Sequence, residues 1–236
     1  MNERINEKAE ILSWEKIKEK HKEFLEKEPR ECAYETAKEC INKYWRKGKI
    51  PDEDLDKITD AILTFLFLWN SAFYRTCIFE ENFIENIKIN IKNNKKKLDS
   101  FKRKCIYKLN TSDKNNIRDL YESFSEVLGC KKKVKGNENS VKMEQSPVST
   151  AKFLHIICPN FFPLWDDKIA KRYGCGWGKS EFSFKSYWEY MVKVKDQVEN
   201  LKDPETGEIK EILKEYTILK LIDEYNYMSY TKGNKQ

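Results

Sequence analysis

The chain has 236 residues, 39% of them apolar and 13% aromatic, enough to bury the core of one large domain or two small ones and to exclude a disordered chain. Lys and Arg number 45 against 39 Asp and Glu, so the net charge is only +6, which permits an acidic partner without demanding one.

The N-terminal "MNERINEKAE" lacks the apolar core of a signal peptide, which points to a cytoplasmic protein. The periodicity of Ile11, Trp14, Ile17, His21, Phe24 and Leu25 predicts one face of a first helix, closed by Pro29. A second helix is expected from Glu31 to Gly48 as its C′ residue. "PDEDLDK" then places Pro and three acids at a helix start, ahead of the most apolar run in the chain, Ala61 to Trp69. That run falls well short of the ~20 residues that span a bilayer, so it reads as a core helix and no membrane association is expected.

Phe79, Phe83, Ile84, Ile87, Ile91 and Leu98 carry the helical period onward, and "TSDKNNIRDLYESFSEVLG" opens another helix with Ser112 or Asp113 as cap and Gly129 as stop. Cys130 to Gln145 has no apolar period and reads as a basic loop. Helices follow near Ser149–Cys158 and Asp166–Tyr173, then a glycine-rich turn, then helices over Phe182–Leu201 and Glu208–Tyr227. The expected fold is all-α with roughly nine or ten helices, in one compact body or two lobes sharing a cleft. The lobes would be 1–129 and 147–236, separated by the basic loop 130–146.

The seven cysteines, Cys32, Cys40, Cys77, Cys105, Cys130, Cys158 and Cys175, contain no C-x-x-C pair and no nearby His pair. Zinc ligation, a redox dithiol and a disulfide framework are therefore not expected, nor is any metal or cofactor, and the thiols read as mostly buried in a reducing compartment. "GCGWGKS", Gly174 to Ser180, ends like a P-loop, but its glycine spacing is one residue short and it follows a helix, so it reads as a helix terminator.

The rarest residues of the chain crowd between Ala151 and Gly174, "AKFLHIICPNFFPLWDDKIAKRYG". Pro147 with Ser149 or Thr150 as cap starts a helix there, Pro159 stops it, and "NFFPLW" forms an apolar connector to Asp166 or Asp167, which could cap the next helix. A lysine opening one helix and an aspartate opening the next resembles the core of the helix-hairpin-helix DNA glycosylase superfamily, which includes the 8-oxoguanine and adenine glycosylases. It also resembles an uncharacterised prokaryotic family sharing "K-x-L-H…P-x-x-F-P…W-D".

The resemblance implies Lys152 as the amine nucleophile and Asp166, three residues before Ile169 in the place of the family's valine, as the carboxylate beside the sugar. It further implies excision of a damaged base flipped into an aromatic pocket. Trp165, Phe161, His155 and Asn70 are the candidates to line that pocket, with Phe162 beside them. The family's glycine-rich hairpin is replaced by "EQSPVST", so Ser149 and Thr150 would meet the DNA backbone with hydroxyls and N–H groups, joined by Lys131, Lys132, Lys133, Lys171 and Arg172. DNA is the expected partner. The alternatives are a non-catalytic helical module that binds nucleic acid or another partner, with Asp166 only a helix cap, and a small-molecule pocket protein.

Overall fold

Side-chain caps at Ser13, Ser146, Asp166 and Thr217 start four of the helices in the computed structural model, which describes residues 12–134, 136–175, 184–203, 206 and 215–232. Ser13 accepts a hydrogen bond from the Lys16 N–H and starts α1 (Trp14–Lys27), whose Ile17, His21 and Phe24 face inward. Leu25 lies one residue beyond that stripe and stays 48% exposed, against expectation, while Ile11 falls outside the described residues. Helix α2 (Glu31–Tyr44) packs along α3 (Asp52–Trp69), whose first turn carries Asp52, Glu53 and Asp54. Gly48, with φ of 84°, shapes the turn between them and is not the C′ residue of α2, whose C-cap is Trp45.

A single turn, α4 (Ser71–Tyr74), leads to α5 (Phe83–Lys102), which buries Ile87, Ile91 and Leu98 but leaves Ile84 and the preceding Phe79 exposed. Helix α6 (Lys114–Val127) is entered through a 3-10 turn at Thr111–Asp113. Asp113 is its N-cap by position, yet the side chain turns to Lys104 at 2.6 Å and caps no backbone group. Then come α7 (Pro147–Ile157), α8 (Asp167–Arg172), α9 (Phe184–Asn200) and α10 (Ile218–Asn226), the last running into a π-helical turn at Tyr227–Lys232. Residues 182, 183 and 207–214, where the last two helices were expected to begin, lie outside the described residues. The fold is predominantly α, with ten α-helices among the described residues.

The expected basic loop is instead a hairpin. Strands β1 (Cys130–Val134) and β2 (Asn137–Glu144) pair antiparallel with Lys131 opposite Met143 and Lys133 opposite Val141, and Gly136 turns the chain at φ of 86°. Val141 and Met143 stay exposed, so these strands have no core face to impose the alternation by which a strand is read.

The hairpin is fastened by Ile78, whose N–H donates to Lys131 O at 2.8 Å, and by a disulfide between Cys77 and Cys130 with Cα atoms 5.5 Å apart. That bridge corrects the expectation of free thiols; a separation of 53 residues leaves no local signature for it. Cys158 and Cys175 are buried thiols, but Cys32 is exposed and Cys40 and Cys105 are half-buried.

Gly129 enters β1 where the chain passes close to β2: a Cβ there would stand 2.8 Å from Glu144 O and 3.2 Å from Glu126 O, both backbone atoms. Gly129→Ala is therefore expected to cost about 1–3 kcal/mol through overpacking, read as a lowered urea midpoint with the m-value unchanged.

One contiguous apolar cluster runs from Leu12 to Tyr225 and draws on residues both before and after the hairpin. Helix α7 lies in its middle against α2, α3 and α6, with Phe153 stacked on Phe124 at 4.1 Å. Every α7 residue is buried except Pro147, Val148 and Lys152. No helix among the described residues is long and apolar enough to cross a membrane.

Candidate functional site

The polar start of α7 is spent on the fold. Ser146, not Ser149 or Thr150, is the N-cap and accepts from the Ser149 N–H at 3.3 Å. Asn70, at the end of α3, donates to the hydroxyls of Ser146 at 3.0 Å and Ser149 at 2.8 Å, and the Thr150 hydroxyl donates to Ser146 O. Ser149 and Thr150 are fully buried, so neither offers a hydroxyl to an outside phosphate, and Asn70 ties two helices together instead of facing a base. All three depart from the roles expected of them, because a buried helix start must satisfy its own N–H groups.

The aromatic pocket candidates are likewise interior. Phe161 and Phe162 pack on Phe101 at 4.7 and 5.4 Å, and Trp165 packs on Tyr187 and Tyr190, all without an outward face. Tyr187 and Tyr190, from α9, donate to Pro163 O at 2.9 Å and Leu164 O at 2.7 Å, which satisfies the carbonyls of the buried connector and fixes where α8 begins.

His155 is fully buried, with Nδ1 2.8 Å from Phe162 O and Nε2 3.1 Å from the Tyr34 hydroxyl. A carbonyl only accepts, so Nδ1 carries the proton and Nε2 accepts from Tyr34. Burial pushes this imidazole down to about 3. The unfolded chain therefore takes up a proton near pH 6.5 that the folded chain refuses until about 3. Stability from His155 is present above pH 6.5 and is expected to fall by about 1.4 kcal/mol per pH unit as pH drops towards 3. Urea denaturation across that range should show a slope that His155→Gln flattens.

Lys152 and Asp166 make no hydrogen bond or ion pair with each other; each is engaged elsewhere, and Asp166 acts on the Lys152 amine only through its charge. Lys152 is the charged residue on the outward strip of α7; its Nζ donates to Trp69 O at 2.7 Å and lies 5.6 Å from the Trp69 ring centroid. Asp166 caps α8: Oδ1 accepts the Ile169 N–H at 2.8 Å, and Oδ2 accepts the Thr231 hydroxyl at 2.7 Å. The C-terminal π turn is thus pinned to the head of α8, reinforced by Lys168 Nζ on Thr231 O at 2.9 Å.

Asp223 of α10 acts on the Lys152 amine through its charge, and its carboxylate has no hydrogen bond or ion pair among the described residues. Lys152, Asp166, Asp223, Trp69 and Arg30 are each half-buried. Burial pulls the Lys152 amine down to about 8, against the opposing pull of Asp223 and Asp166, with Arg30 adding to the fall. Burial raises the Asp223 carboxyl to about 7, with Lys220 and Lys152 acting the other way.

An ionic shell backs this group. Arg30 grips Glu28 through Nε at 2.6 Å and a terminal nitrogen at 2.8 Å, and its guanidinium lies 4.5 Å from the Trp69 ring centroid. Burial would raise the Glu28 carboxyl; the hydrogen bonds from Arg30 and Tyr227 outweigh it and hold it at about 2. Deeper, Lys220 bridges Glu31 and Glu224 at 2.9 Å each, and Glu224 meets His21 Nδ1. Sequence reading missed Asp223, Trp69 and Arg30; the available signal was the "DE" pair set inside the apolar run "ILKLIDEYNYM".

The expected basic track is fragmented. Lys131 pairs with Glu80 at 2.7 Å, and Lys132 lies over the Phe73 ring at 3.8 Å and reaches Glu144 at 3.3 Å. Lys133 and Lys171 are exposed, on the hairpin and on α8, and Arg172 stands over the Tyr230 ring. Gly174, at φ of 62°, ends α8 in a Schellman pattern with the Cys175 N–H on Ala170 O, as a helix terminator does; residues 176–180 of the P-loop-like stretch lie outside the described residues. Among the described residues no group of three or more His, Cys, Asp or Glu side chains is placed to hold a metal ion. Comparison with protein families, curated proteins and solved structures finds no match to this chain.

Proposed function

We propose that the protein acts on DNA as a lyase of the helix-hairpin-helix glycosylase kind, with Lys152 as the amine that attacks an opened abasic sugar. What supports this reading is that Lys152 is half-buried with its amine held by Trp69 O at 2.7 Å, where burial lowers it to about 8. Such an amine is ~20% neutral at pH 7.4, whereas an ordinary lysine is ~0.1% neutral. The lone pair of Lys152 Nζ forms a bond to the sugar C1′ while the carbonyl π pair moves to oxygen; that oxygen takes one proton from the nitrogen and a second from solvent and leaves as water, and a protonated imine results. Loss of a proton from C2′ then expels the 3′ phosphate. Excision of an intact base needs an open aromatic pocket, and Trp165, Phe161 and His155 are packed in the core, so abasic DNA is the substrate this reading favours.

The test is borohydride trapping on a labelled duplex with one abasic site. Wild type is expected to give a covalent band that Lys152→Ala lacks, and a folded wild type that gives none would remove the reading.

A second reading is favoured by Asp166, whose two oxygens are both engaged by Ile169 and Thr231. In it the protein is a non-catalytic partner-binding module and Asp166 is a helix cap. Salt-dependent duplex binding without trapping would support that reading.

A further inference from the structure

The hairpin carries an open sheet edge, and the contact that fastens it fixes the phase of its ladder. Lys131 exchanges both backbone bonds with Ile78, donating to Ile78 O at 3.3 Å and accepting from the Ile78 N–H at 2.8 Å. Those groups of Lys131 point away from β2, so Lys131 and Met143 form a non-hydrogen-bonded pair, and the N–H and C=O of Met143 point away from β1. Val141, opposite Lys133, has the same phase. Among the described residues nothing outside the hairpin hydrogen-bonds the backbone of Val141 or Met143. An edge of this kind is a template for another strand.

The two faces of the edge differ in chemistry. Val141 and Met143 project to one face and are exposed, and Met143 lines a shallow depression with Ile78, Phe79 and Phe83. Ile78 and Phe79 are exposed as well, so the apolar surface runs from the hairpin onto the chain before α5. Lys142 and Glu144 project to the other face. Within its own hairpin Lys142 stands opposite Lys132, a like charge, and both lysines turn to the single Glu144 carboxylate, at 3.9 and 3.3 Å.

We propose that β2 is a self-pairing edge: two copies of the chain associate about a two-fold axis at Met143, with their β2 strands antiparallel. The ladder and the charges select this register. An axis at Lys142 needs the backbone groups of Lys142 to point outward, yet they face Lys132, and it sets lysine against lysine. An axis at Val141 suits the backbone but sets Lys142 against the neutral Ser140 of the second copy. An axis at Met143 makes the two Met143 residues a hydrogen-bonded pair and sets Lys142 of each copy against Glu144 of the other, in the closer, non-hydrogen-bonded position. Val141 and Met143 of both copies then share one apolar face, continuous with Ile78 and Phe79 at either side. The pairing is isologous and closes at two copies. It rests on neither reading of Lys152.

The test is sedimentation velocity on the full chain over about 1–200 μM, where wild type is expected to pass from monomer to dimer. Lys142→Glu should weaken the dimer about tenfold, and Glu144→Lys likewise, because each turns two facing opposite charges into two like pairs. Mixing these two variants in equal amounts makes every facing pair opposite again, so a heterodimer within about threefold of wild-type affinity is expected. Met143→Pro removes the outward N–H and should abolish the dimer while leaving the bonds between β1 and β2 in place. Urea midpoints matched to wild type show that each variant is folded. A wild type that stays monomeric throughout overturns the proposal, as does a dimer indifferent to the charge reversals. A dimer weakened by both reversals and not restored by mixing overturns the register.

Discussion

Lys220→Met is expected to lower the unfolding free energy by about 3–5 kcal/mol, the largest loss from any single substitution considered for this fold. Lys220 is 2% exposed and holds two carboxylates, Glu31 and Glu224, that are themselves 8% and 0% exposed. Burial alone would lower its ammonium; Glu224 and Glu31 outweigh that and raise it, so the cation stays charged. Its methylenes and ammonium also lie among the rings of Phe24 at 4.3 Å and Tyr34 at 4.7 Å, where methionine fits well as volume. The cost therefore comes from charge: without the ammonium, Glu224 keeps only His21 and Glu31 keeps no cation, and one Glu31 oxygen is already without a partner.

The pH dependence carries the sign. The Glu31 carboxyl is raised by burial to about 7 even with Lys220 present, so its contribution is complete below the unfolded value and is lost as pH rises through 7. The variant should accordingly recover part of its stability as pH falls from 7 towards 4.5. Urea titrations at those two pH values test this, and a loss under 1 kcal/mol at pH 7 would show that the network is not held by Lys220.

Lys152→Met is expected to have the opposite balance: little or no loss of stability, and complete loss of covalent trapping on abasic DNA. The amine of Lys152 is disfavoured as a cation by burial, and its hydrogen bond is a single one, to Trp69 O at 2.7 Å. Trp69 O is the carbonyl of a helix end on a half-buried residue, so losing that one donor is expected to cost little. The folded-state value of Lys152 lies below its unfolded value, so in the native protein this lysine costs stability below pH 8, and its removal relieves that cost. Matched thermal melts at pH 7, beside the trapping gel, separate a lost nucleophile from a lost fold. A variant that unfolds with the wild type and still traps would move the nucleophile elsewhere.

Much of the scaffold was readable from the chain because several helices obey local rules: Pro147 and Asp166 start elements, and Gly174 stops one, where helix-end chemistry says they should. The place of Asp166 was legible for the same reason, since it caps α8 across a short connector from α7. The contact of Trp69 with Lys152 was not, because Trp69 reaches it from a helix 83 residues away in sequence, through tertiary packing that no period encodes. The hairpin was missed because both its faces are wet, and the Cys77–Cys130 bridge because its partners share no local spacing. The aromatic connector misled in one direction only: "NFFPLW" was rightly read as buried, and burial is what removes Phe161 and Trp165 from any open pocket.

The most direct measurement is the identity of the residue that carries the sugar after wild-type protein is reduced with borohydride on an abasic duplex. The adduct is digested and its modified peptide is sequenced by mass spectrometry. Trypsin does not cut after a modified lysine, so the sugar remnant is predicted on Lys152 within the uncut peptide Met143 to Lys168. A remnant on an exposed lysine such as Lys133, or no remnant on a folded protein, would contradict the assignment of Lys152 as the reactive amine.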